Sequence, residues 1–219
     1  MCKATLSIVV LISGSGSNLQ ALIDDLSKQP IKAEIKAVIS NKADAFGLQR
    51  AENAGIPGIF IDHNEFPDRT SFDQAMISKI DAYNPDLVVL AGFMRILSND
   101  FVNHYSGRLI NIHPSLLPHF KGLNTHQRAL DAKHKRHGAS VHFVSNELDG
   151  GPVIAQIEVT VKANDNAESL RLKVIKQEHI IYPQVVRWFA EHRLSLQDQV
   201  IYFDQQLMQQ PVVLKPETA

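Results

Sequence analysis

The chain has 219 residues, of which 44% are hydrophobic and 21% are charged, and its formal net charge is −1. This is the composition of an ordinary globular protein, and the near-zero net charge argues against a nucleic-acid-binding surface, which needs an excess of basic residues. Cys2 is the one cysteine, so an intramolecular disulfide is excluded, and no apolar run approaches the length that spans a bilayer. We therefore expect a cytoplasmic protein with one good-sized core.

Short β-branched runs alternate with helical patterns along the chain, which is typical of a parallel sheet with crossover helices. The first and fourth runs are almost wholly apolar, as central strands covered on both faces should be. The sequence therefore predicts an α/β fold with an open, mostly parallel, Rossmann-like sheet and helices on both faces. In chain order, the predicted strands are Leu6–Ile12, Ile35–Ser40, Gly58–Ile61, Leu87–Ala91, Leu109–Asn111, Ala139–Val144 and Val153–Val161.

Helical patterns fill the gaps between these strands. The longest helix should begin after Asp165, with Asp165 and Glu168 as a capping pair, and should bend at Pro183. Past this helix, residues 199–214 alternate weakly and are predicted as a hairpin at an edge, because Pro211 disfavours a central strand. The shorter predicted helices are Asn18–Lys28, Ala45–Ala54, Ser71–Tyr83, Ser98–His104 and Thr125–Lys133.

A glycine-rich segment, residues 13–18 (Ser-Gly-Ser-Gly-Ser-Asn), joins the first strand to the first helix. Its glycines let the backbone approach a ligand, and a helix start offers unpaired N–H groups at the positive end of the dipole. It is not a Walker loop, because no Lys-Ser/Thr pair follows, and Leu19 replaces the third glycine of a dinucleotide fingerprint. The pattern favours a phosphate site, and the alternative is a tight turn in which Ser17 or Asn18 caps the helix.

Two polar residues share the end of the fifth predicted strand. Asn111 and His113 lie two residues apart, so their side chains should face one site, and Pro114 follows at once. A carboxylate, Asp149, stands in a later turn between Leu148 and two glycines. Each residue alone has a structural interpretation as a turn former or a packed ring. Together, an amide donor, a titratable imidazole and a carboxylate to set its charge indicate acyl transfer.

Other segments carry weaker signals. Residues 92–97 follow the fourth strand at the carboxyl edge, where ligands bind in open α/β sheets, and their apolar side chains suit a flat ring or, alternatively, the core. The spacing of His113, His119 and His126 matches no compact zinc pattern, so no metal site is predicted. The basic run at residues 133–137 is interpreted as a solvated loop that could also attract an anionic ligand.

Taken in order, the glycine segment, residues 92–97, the Asn-x-His-Pro-Ser motif and the Leu-Asp-Gly-Gly-Pro turn resemble the folate-dependent formyltransferase family. The run Asn-Ile-His-Pro-Ser-Leu-Leu-Pro is specific for that family, and Ser-Gly-x-Gly-Ser-Asn narrows the resemblance to its phosphoribosylglycinamide formyltransferase branch. The resemblance extends from Ile8 to about Trp188. It implies formyl transfer from 10-formyltetrahydrofolate, a co-substrate, to the amine of glycinamide ribonucleotide in purine biosynthesis. It implies no metal, nucleic-acid or membrane partner, and a monomer or homodimer.

The resemblance also implies a role for individual residues. Asn111, His113 and Asp149 match the catalytic positions. The ribonucleotide positions are Gly16, Ser17, Asn18 and Glu178. The folate positions, which include Asn111 and Asp149 again, are Arg69, Met94, Arg95, Ile96, Leu97, Ser145, Asn146, Glu147 and Leu148. A single domain is expected over residues 1–195, with a ribonucleotide-phosphate half at 1–106, a catalytic and folate half at 107–195, and a tail at 196–219.

Four other functions compete with this interpretation. A formyltetrahydrofolate hydrolase would use the same three residues with water, but usually has an additional N-terminal domain, whereas here the predicted fold starts at about residue 6. A methionyl-tRNA formyltransferase would need a further domain and a basic face. A phosphate-sugar sensor would not need Asn111, His113 and Asp149 together. An NAD oxidoreductase would need an acidic residue at the end of the second strand, which instead ends in Ser40 and Asn41.

Overall fold

Strands and helices alternate through most of the chain in the computed structural model, which describes residues 5–28 and 31–215, so that Cys2 lies outside the described residues. The strands are β1 (Leu6–Ile12), β2 (Ala33–Ser40), β3 (Gly58–Phe60), β4 (Leu87–Leu90), β5 (Leu109–His113), β6 (Arg136–Phe143), β7 (Val153–Thr160), β8 (Leu194–Gln197), β9 (Val200–Phe203), β10 (Gln206–Leu207) and β11 (Val212–Leu214). The α-helices are α1 (Ser17–Lys28), α2 (Phe46–Asn53), α3 (Arg69–Asp81), α4 (Asn99–His104), α5 (Thr125–Asp131) and α6 (Ala167–Ala190).

Eight of the strands form one sheet in the order β11-β7-β6-β5-β4-β1-β2-β3. The pairs from β5 through β4, β1 and β2 to β3 are all parallel, whereas β6 runs antiparallel to both of its neighbours. The predicted mostly parallel α/β sheet is therefore confirmed. Because β1, β4 and β5 are adjacent and parallel, the segments that follow them meet at one edge of the sheet.

Helices cover both faces of this sheet. Alternate residues of β1 point to opposite sides. Val10 lies in a buried cluster with residues of α1 and α6, and Val9 lies in a second cluster with residues of α3 and α4. Each fully buried aliphatic side chain contributes about 1.5–3 kcal/mol relative to exposure, so the central strands are held rigidly between two apolar layers. No helix of the described residues is both long and apolar enough to cross a membrane.

The start of α6 corrects one prediction. Asn166, not Asp165, caps the helix: its side chain accepts from the Ser169 N–H, and the Ser169 hydroxyl accepts from the Asn166 N–H. The carboxylate of Asp165 is already engaged by the ammonium of Lys173, and Glu168 pairs with Arg171, so neither is available for the predicted capping pair. The helix continues through Pro183 to Ala190.

The C-terminal segment divides between two sheets. Strands β8, β9 and β10 form a small antiparallel sheet, so a hairpin is present but pairs with β8 rather than with the main sheet. After Pro211, β11 pairs in parallel with β7 at the outer edge of the main sheet, the position to which proline restricts a strand. The proposed boundary near residue 107 lies between β4 and β5, which are hydrogen-bonded neighbours in the sheet.

Candidate active site

The carboxyl end of β5 presents the two residues that strand periodicity places together. The strand runs to His113, two residues further than predicted, so Asn111 and His113 both belong to it and point to the same side. The imidazole Nδ1 of His113 lies 3.3 Å from Asp149 Oδ2, and the two side chains are only 7% and 10% exposed. The Nε2 of the same ring lies 2.9 Å from the carbonyl oxygen of Phe120. His113 and Asp149 thus form a buried contact on the same side of β5 as the amide of Asn111.

Asp149 is held by the turn in which it lies. Its φ of +47° is in the left-handed region, which Asp adopts more readily than most residues. The carboxylate oxygen Oδ2 also accepts from the Gly122 N–H at 2.9 Å. A Cβ on Gly151 would lie 1.9 Å from the carbonyl oxygen of Phe143, so only glycine allows this turn to close against β6. The glycines that mark the motif in the sequence therefore bring Asp149 to His113.

Sequence reasoning missed His142, which lies directly opposite Asn111 on β6. Its Nε2 is 3.3 Å from Asn111 Nδ2, and its Nδ1 is 2.8 Å from the carbonyl oxygen of Phe143. Burial lowers the pKa of His142, while the Phe143 carbonyl and the charge of Asp149 act in the opposite direction. A neutral ring that donates from Nδ1 must accept at Nε2, so it orients the amide nitrogen of Asn111. Finding it required the register of β6 against β5.

The glycine segment turns from β1 into α1 and is supported by α2. Gly16 has a φ of +67°, and a Cβ built there would lie 2.6 Å from the Cα of Gly47. Gly16 is therefore required for backbone contact with α2, in addition to any approach to a ligand. The Gly47 N–H donates to the carbonyl of Gly14 at 3.0 Å, and Arg50 Nε donates to the carbonyl of Ser15 at 2.8 Å. Gly47 and Arg50 were not identified from the sequence, because the α2 contact is tertiary.

Asn18 and Glu178 meet beside this segment, although 160 positions separate them. Asn18 Nδ2 donates to Glu178 Oε2 at 2.8 Å, and both side chains are buried. Burial raises the pKa of Glu178, while the Asn18 hydrogen bond and the charge of Arg171 lower it. Asn18 Oδ1 is buried and has no hydrogen-bond partner among the described residues. A cavity of about 330 Å³ is lined by Ser17 and Arg50, but not by Asn18 or Glu178. Asn18 and Glu178 themselves contribute an unsatisfied acceptor and a carboxylate.

Replacing Glu178 by Gln should stabilise the fold at neutral pH. A carboxyl group whose pKa is raised by folding destabilises the native state as pH rises above its unfolded value of about 4.3. The variant should therefore match wild type near about pH 4 and gain free energy of unfolding progressively toward about pH 8. Chemical denaturation across this range measures the difference.

Glu168→Gln on the same helix is the matched control for this prediction. The hydrogen bond from Arg171 lowers the pKa of the Glu168 carboxyl, so this variant should gain nothing at neutral pH. If Glu178→Gln is less stable than wild type at neutral pH, the charged hydrogen bond from Asn18 outweighs the cost of burial.

The segment at residues 92–97 reaches the same edge of the sheet. Gly92 has a φ of +77°, which turns the chain out of β4. Phe93 is buried, whereas Met94 and Ile96 are 67% and 64% exposed. The guanidinium of Arg95 lies 5.0 Å from the ring centre of Phe72. The core-packing alternative therefore does not hold for Met94 and Ile96, which form an apolar surface open to a ligand.

The remaining folate candidates lie in two places. Arg69 is exposed at the first residue of α3. The loop of Ser145, Asn146, Glu147 and Leu148 connects β6 to β7, and Leu148 is 57% exposed. Leu97 is half-buried and packs against the cluster under α3. The loop of residues 145–148 thus leads directly into Asp149. Arg69 begins α3, the helix whose Phe72 ring contacts the guanidinium of Arg95.

The histidines considered for a metal have separate partners. His126 Nδ1 lies 3.1 Å from Nε2 of His137, and His119 packs edge-on against the ring of His134. Burial lowers the pKa of His126, and it lowers the pKa of His137 to about 4. Within residues 5–28 and 31–215, no group of three or more His, Cys, Asp or Glu side chains is arranged to hold a metal ion.

The sequence and the structure both have close counterparts among known proteins. A profile of the formyl transferase family matches residues 6–186. The chain is 54% identical over 201 residues to phosphoribosylglycinamide formyltransferase of Escherichia coli (strain K12), which covers 92% of this chain and 95% of the relative. It is 45% identical over 194 residues to the trifunctional purine biosynthetic protein adenosine-3 of Homo sapiens, covering 89% of this chain and 19% of that longer protein.

Solved structures agree with these sequence relatives. Phosphoribosylglycinamide formyltransferase from Coxiella burnetii, in complex with CHES, matches with a TM-score of 0.91 at 51% identity, covering 95% of this chain and 98% of that one. Glycinamide ribonucleotide transformylase 1 from Symbiobacterium toebii matches with a TM-score of 0.88 at 42% identity, covering 93% and 95%. The resemblance indicated by the motifs is confirmed, and the chain belongs to the formyl transferase family.

Proposed function

We propose that the chain transfers the formyl group of 10-formyltetrahydrofolate to the primary amine of glycinamide ribonucleotide, giving formylglycinamide ribonucleotide and tetrahydrofolate in purine biosynthesis. The observation that carries this proposal is the buried contact of His113 with Asp149, on the same side of β5 as the amide of Asn111. Relatives that span nearly the same length are named for this activity. The chemistry of the site and the family therefore agree on acyl transfer.

Asn111 is assigned to the oxygen of the transferred formyl group. Negative charge develops on this oxygen as the amine attacks the carbon. His142 accepts one Nδ2 hydrogen of Asn111, and the second remains to donate to the developing oxyanion. A donor that is already oriented stabilises this charge without reorganisation, which is the origin of its catalytic effect.

His113 is the second group assigned to the developing charge. Each ring nitrogen faces an oxygen, the carboxylate of Asp149 at Nδ1 and the carbonyl of Phe120 at Nε2. Oxygens of these types only accept, so a ring protonated at both nitrogens satisfies both contacts. Asp149 balances the charge of this imidazolium. To accept a hydrogen bond from Nε2, the formyl oxygen has to replace the Phe120 carbonyl as the acceptor, or both oxygens have to accept from the same N–H.

Proton movement between the two nitrogens is assigned to Asp149. The attacking amine must lose a proton and the leaving nitrogen must gain one. A carboxylate beside the reacting carbon can relay this proton through a water molecule. Asp149 Oδ2 is occupied by His113 and Gly122, so Oδ1, which lies 3.8 Å from His142 Nε2, is the oxygen assigned to the relay.

The ribonucleotide is assigned to the glycine segment. Gly16 immediately precedes α1, and Ser17 and Asn18 are its first two residues, where backbone N–H groups and the helix dipole favour a phosphate. Asn18 holds one carboxylate oxygen of Glu178, and the other can accept from the ribose hydroxyls. The Glu178→Gln variant, expected to be more stable, should therefore have a higher KM for the ribonucleotide.

The folate is assigned to the neighbouring segment and to the loop before Asp149. Met94 and Ile96 expose apolar surface that suits a flat ring, and Leu148 extends it from the loop. The exposed Arg69 and the partly buried Arg95 supply positive charge for the carboxylates of the folate tail. Arg95 Nε has no hydrogen-bond partner among the described residues, so its N–H is assigned to donate to a folate carboxylate.

One assay tests the proposed function. The purified protein is incubated with 10-formyltetrahydrofolate, with and without glycinamide ribonucleotide, and the folate product is followed by absorbance. We expect turnover only when the ribonucleotide is present. Turnover without an amine would instead indicate a hydrolase, and no turnover with either would overturn the proposal.

We also propose that the protein acts in the cytoplasm on these small molecules, as a monomer or homodimer, without a nucleic-acid or membrane partner. The single cysteine and the near-zero net charge support this assignment. Sedimentation at several protein concentrations, with and without the ribonucleotide, distinguishes the monomer from the homodimer.

A further inference from the structure

One buried serine contacts both substrate-binding segments. Ser13 is the first residue after β1, at the start of the glycine segment, and is only 4% exposed. Its backbone N–H donates to the carbonyl of Gly92 at 3.1 Å. Its hydroxyl oxygen accepts from the backbone N–H of Met94 at 2.8 Å. Ser13 therefore makes two hydrogen bonds to the segment after β4, although it belongs to the segment after β1.

The direction of these bonds is set by a third residue. The Ser13 hydroxyl has one hydrogen, and it donates this hydrogen to Asn41 Oδ1 at 2.6 Å. Asn41 follows β2 and is itself 4% exposed, so its amide is confined by the surrounding structure. With the hydrogen directed to Asn41, the lone pairs of the hydroxyl face Met94. The segments that follow three adjacent strands, β1, β2 and β4, are thus joined through the hydroxyl oxygen of Ser13.

The bond to Met94 fixes a part of the backbone that packing leaves free. Phe93 is anchored in the core, whereas the Met94 side chain is largely in solvent and cannot position its own backbone. The Ser13 hydroxyl supplies the missing anchor. The exposed side chains of Met94 and Ile96 are therefore oriented from the neighbouring strand end.

We propose that Ser13 is a positioning residue for the folate-binding segment, not for the phosphate, despite its place in the glycine segment. This inference rests on the proposed function. The glycine segment has its own supports, from the Gly47 N–H to Gly14 and from Arg50 to Ser15, and neither involves the Ser13 hydroxyl. Removing the hydroxyl should consequently disturb the folate side and leave the ribonucleotide side in place.

Ser13→Ala tests this inference. In this variant the Met94 N–H loses its acceptor. The free-energy cost of a buried donor without an acceptor corresponds to a loss of roughly 10-fold in affinity for tetrahydrofolate. Calorimetry with tetrahydrofolate alone should show this weaker binding, and the KM for 10-formyltetrahydrofolate should rise by a similar factor. The KM for glycinamide ribonucleotide should change by less than about 2-fold, within the scatter of such measurements.

Two further variants make the result specific. Ser15→Ala removes an exposed hydroxyl from the same segment and should leave tetrahydrofolate affinity unchanged. Asn41→Ala removes the acceptor that directs the Ser13 hydroxyl and should cause a smaller loss for the same ligand. It also serves as the test if Ser13→Ala does not fold.

The outcomes separate this inference from the proposed function. In Ser13→Ala, a loss of affinity confined to the ribonucleotide, or no loss of affinity for either ligand, overturns the role of Ser13. The proposed function stands in both cases if the wild-type protein turns over. A wild-type protein that neither binds tetrahydrofolate nor turns over overturns both. An equal loss for both ligands in Ser13→Ala would mean that the serine supports the sheet edge generally, which also contradicts the inference.

Discussion

Replacing Asn111 by Ala should lower kcat by roughly 10²–10³-fold, the usual effect of removing one oxyanion donor. The amide that His142 orients is the part of Asn111 assigned to the developing oxyanion, so the loss should fall on the chemical step. Affinity for the ribonucleotide, measured by calorimetry, should change little. Single-turnover kinetics with both substrates bound measures the chemical step directly.

The control for Asn111→Ala addresses the partner that the variant leaves behind. Without Asn111, the buried Nε2 of His142 loses its donor, which costs about 1–3 kcal/mol of stability. His142→Ala keeps the amide but removes its anchor, so it should lower kcat less than Asn111→Ala does. An Asn111→Ala protein with near-normal kcat would show that the amide has no role in catalysis.

Replacing Gly16 by Val should have the second large effect, on both stability and ribonucleotide binding. The left-handed backbone costs a non-glycine residue roughly 1–2 kcal/mol, and overpacking against Gly47 adds about 1–3 kcal/mol. Displacing the start of α1 should also raise the KM for the ribonucleotide by about 10-fold or more, since about 1.4 kcal/mol suffices for that factor. Denaturation and calorimetry with each ligand separate the two effects.

Gly14→Ala is the matched variant for Gly16→Val. A Cβ built at Gly14 meets no heavy atom within 4 Å, so this change should leave stability nearly intact. If the open space beside Gly14 receives the phosphate, the KM for the ribonucleotide should still rise while tetrahydrofolate affinity stays constant. An unchanged ribonucleotide affinity in both glycine variants would mean that the glycine segment is an ordinary turn and not a phosphate site.

The sequence by itself determined the elements of the sheet and the residues of the motifs. Apolar runs, glycines and prolines act on their near neighbours, so strands β1 to β7 were located to within a few residues and α6 was located as well. Strand β8 and the pairing of β11 with β7 were not predicted. The period of two along a strand was sufficient to place Asn111 and His113 on one side of β5. The capping pair at Asp165 was wrong because Lys173, eight residues away, engages that carboxylate.

Only the tertiary structure decided which distant residues meet. The contact of Asn18 with Glu178 depends on the packing of α1 against α6, and the support of Gly16 by Gly47 depends on the packing of α2 against the start of α1. The pairing of His142 with Asn111 depends on the reversed direction of β6. Ser13 shows the same limit, because the sequence places it in the glycine segment while its hydroxyl holds the neighbouring one. The physical reason is that register and strand order follow from packing of the whole core, which no local pattern encodes.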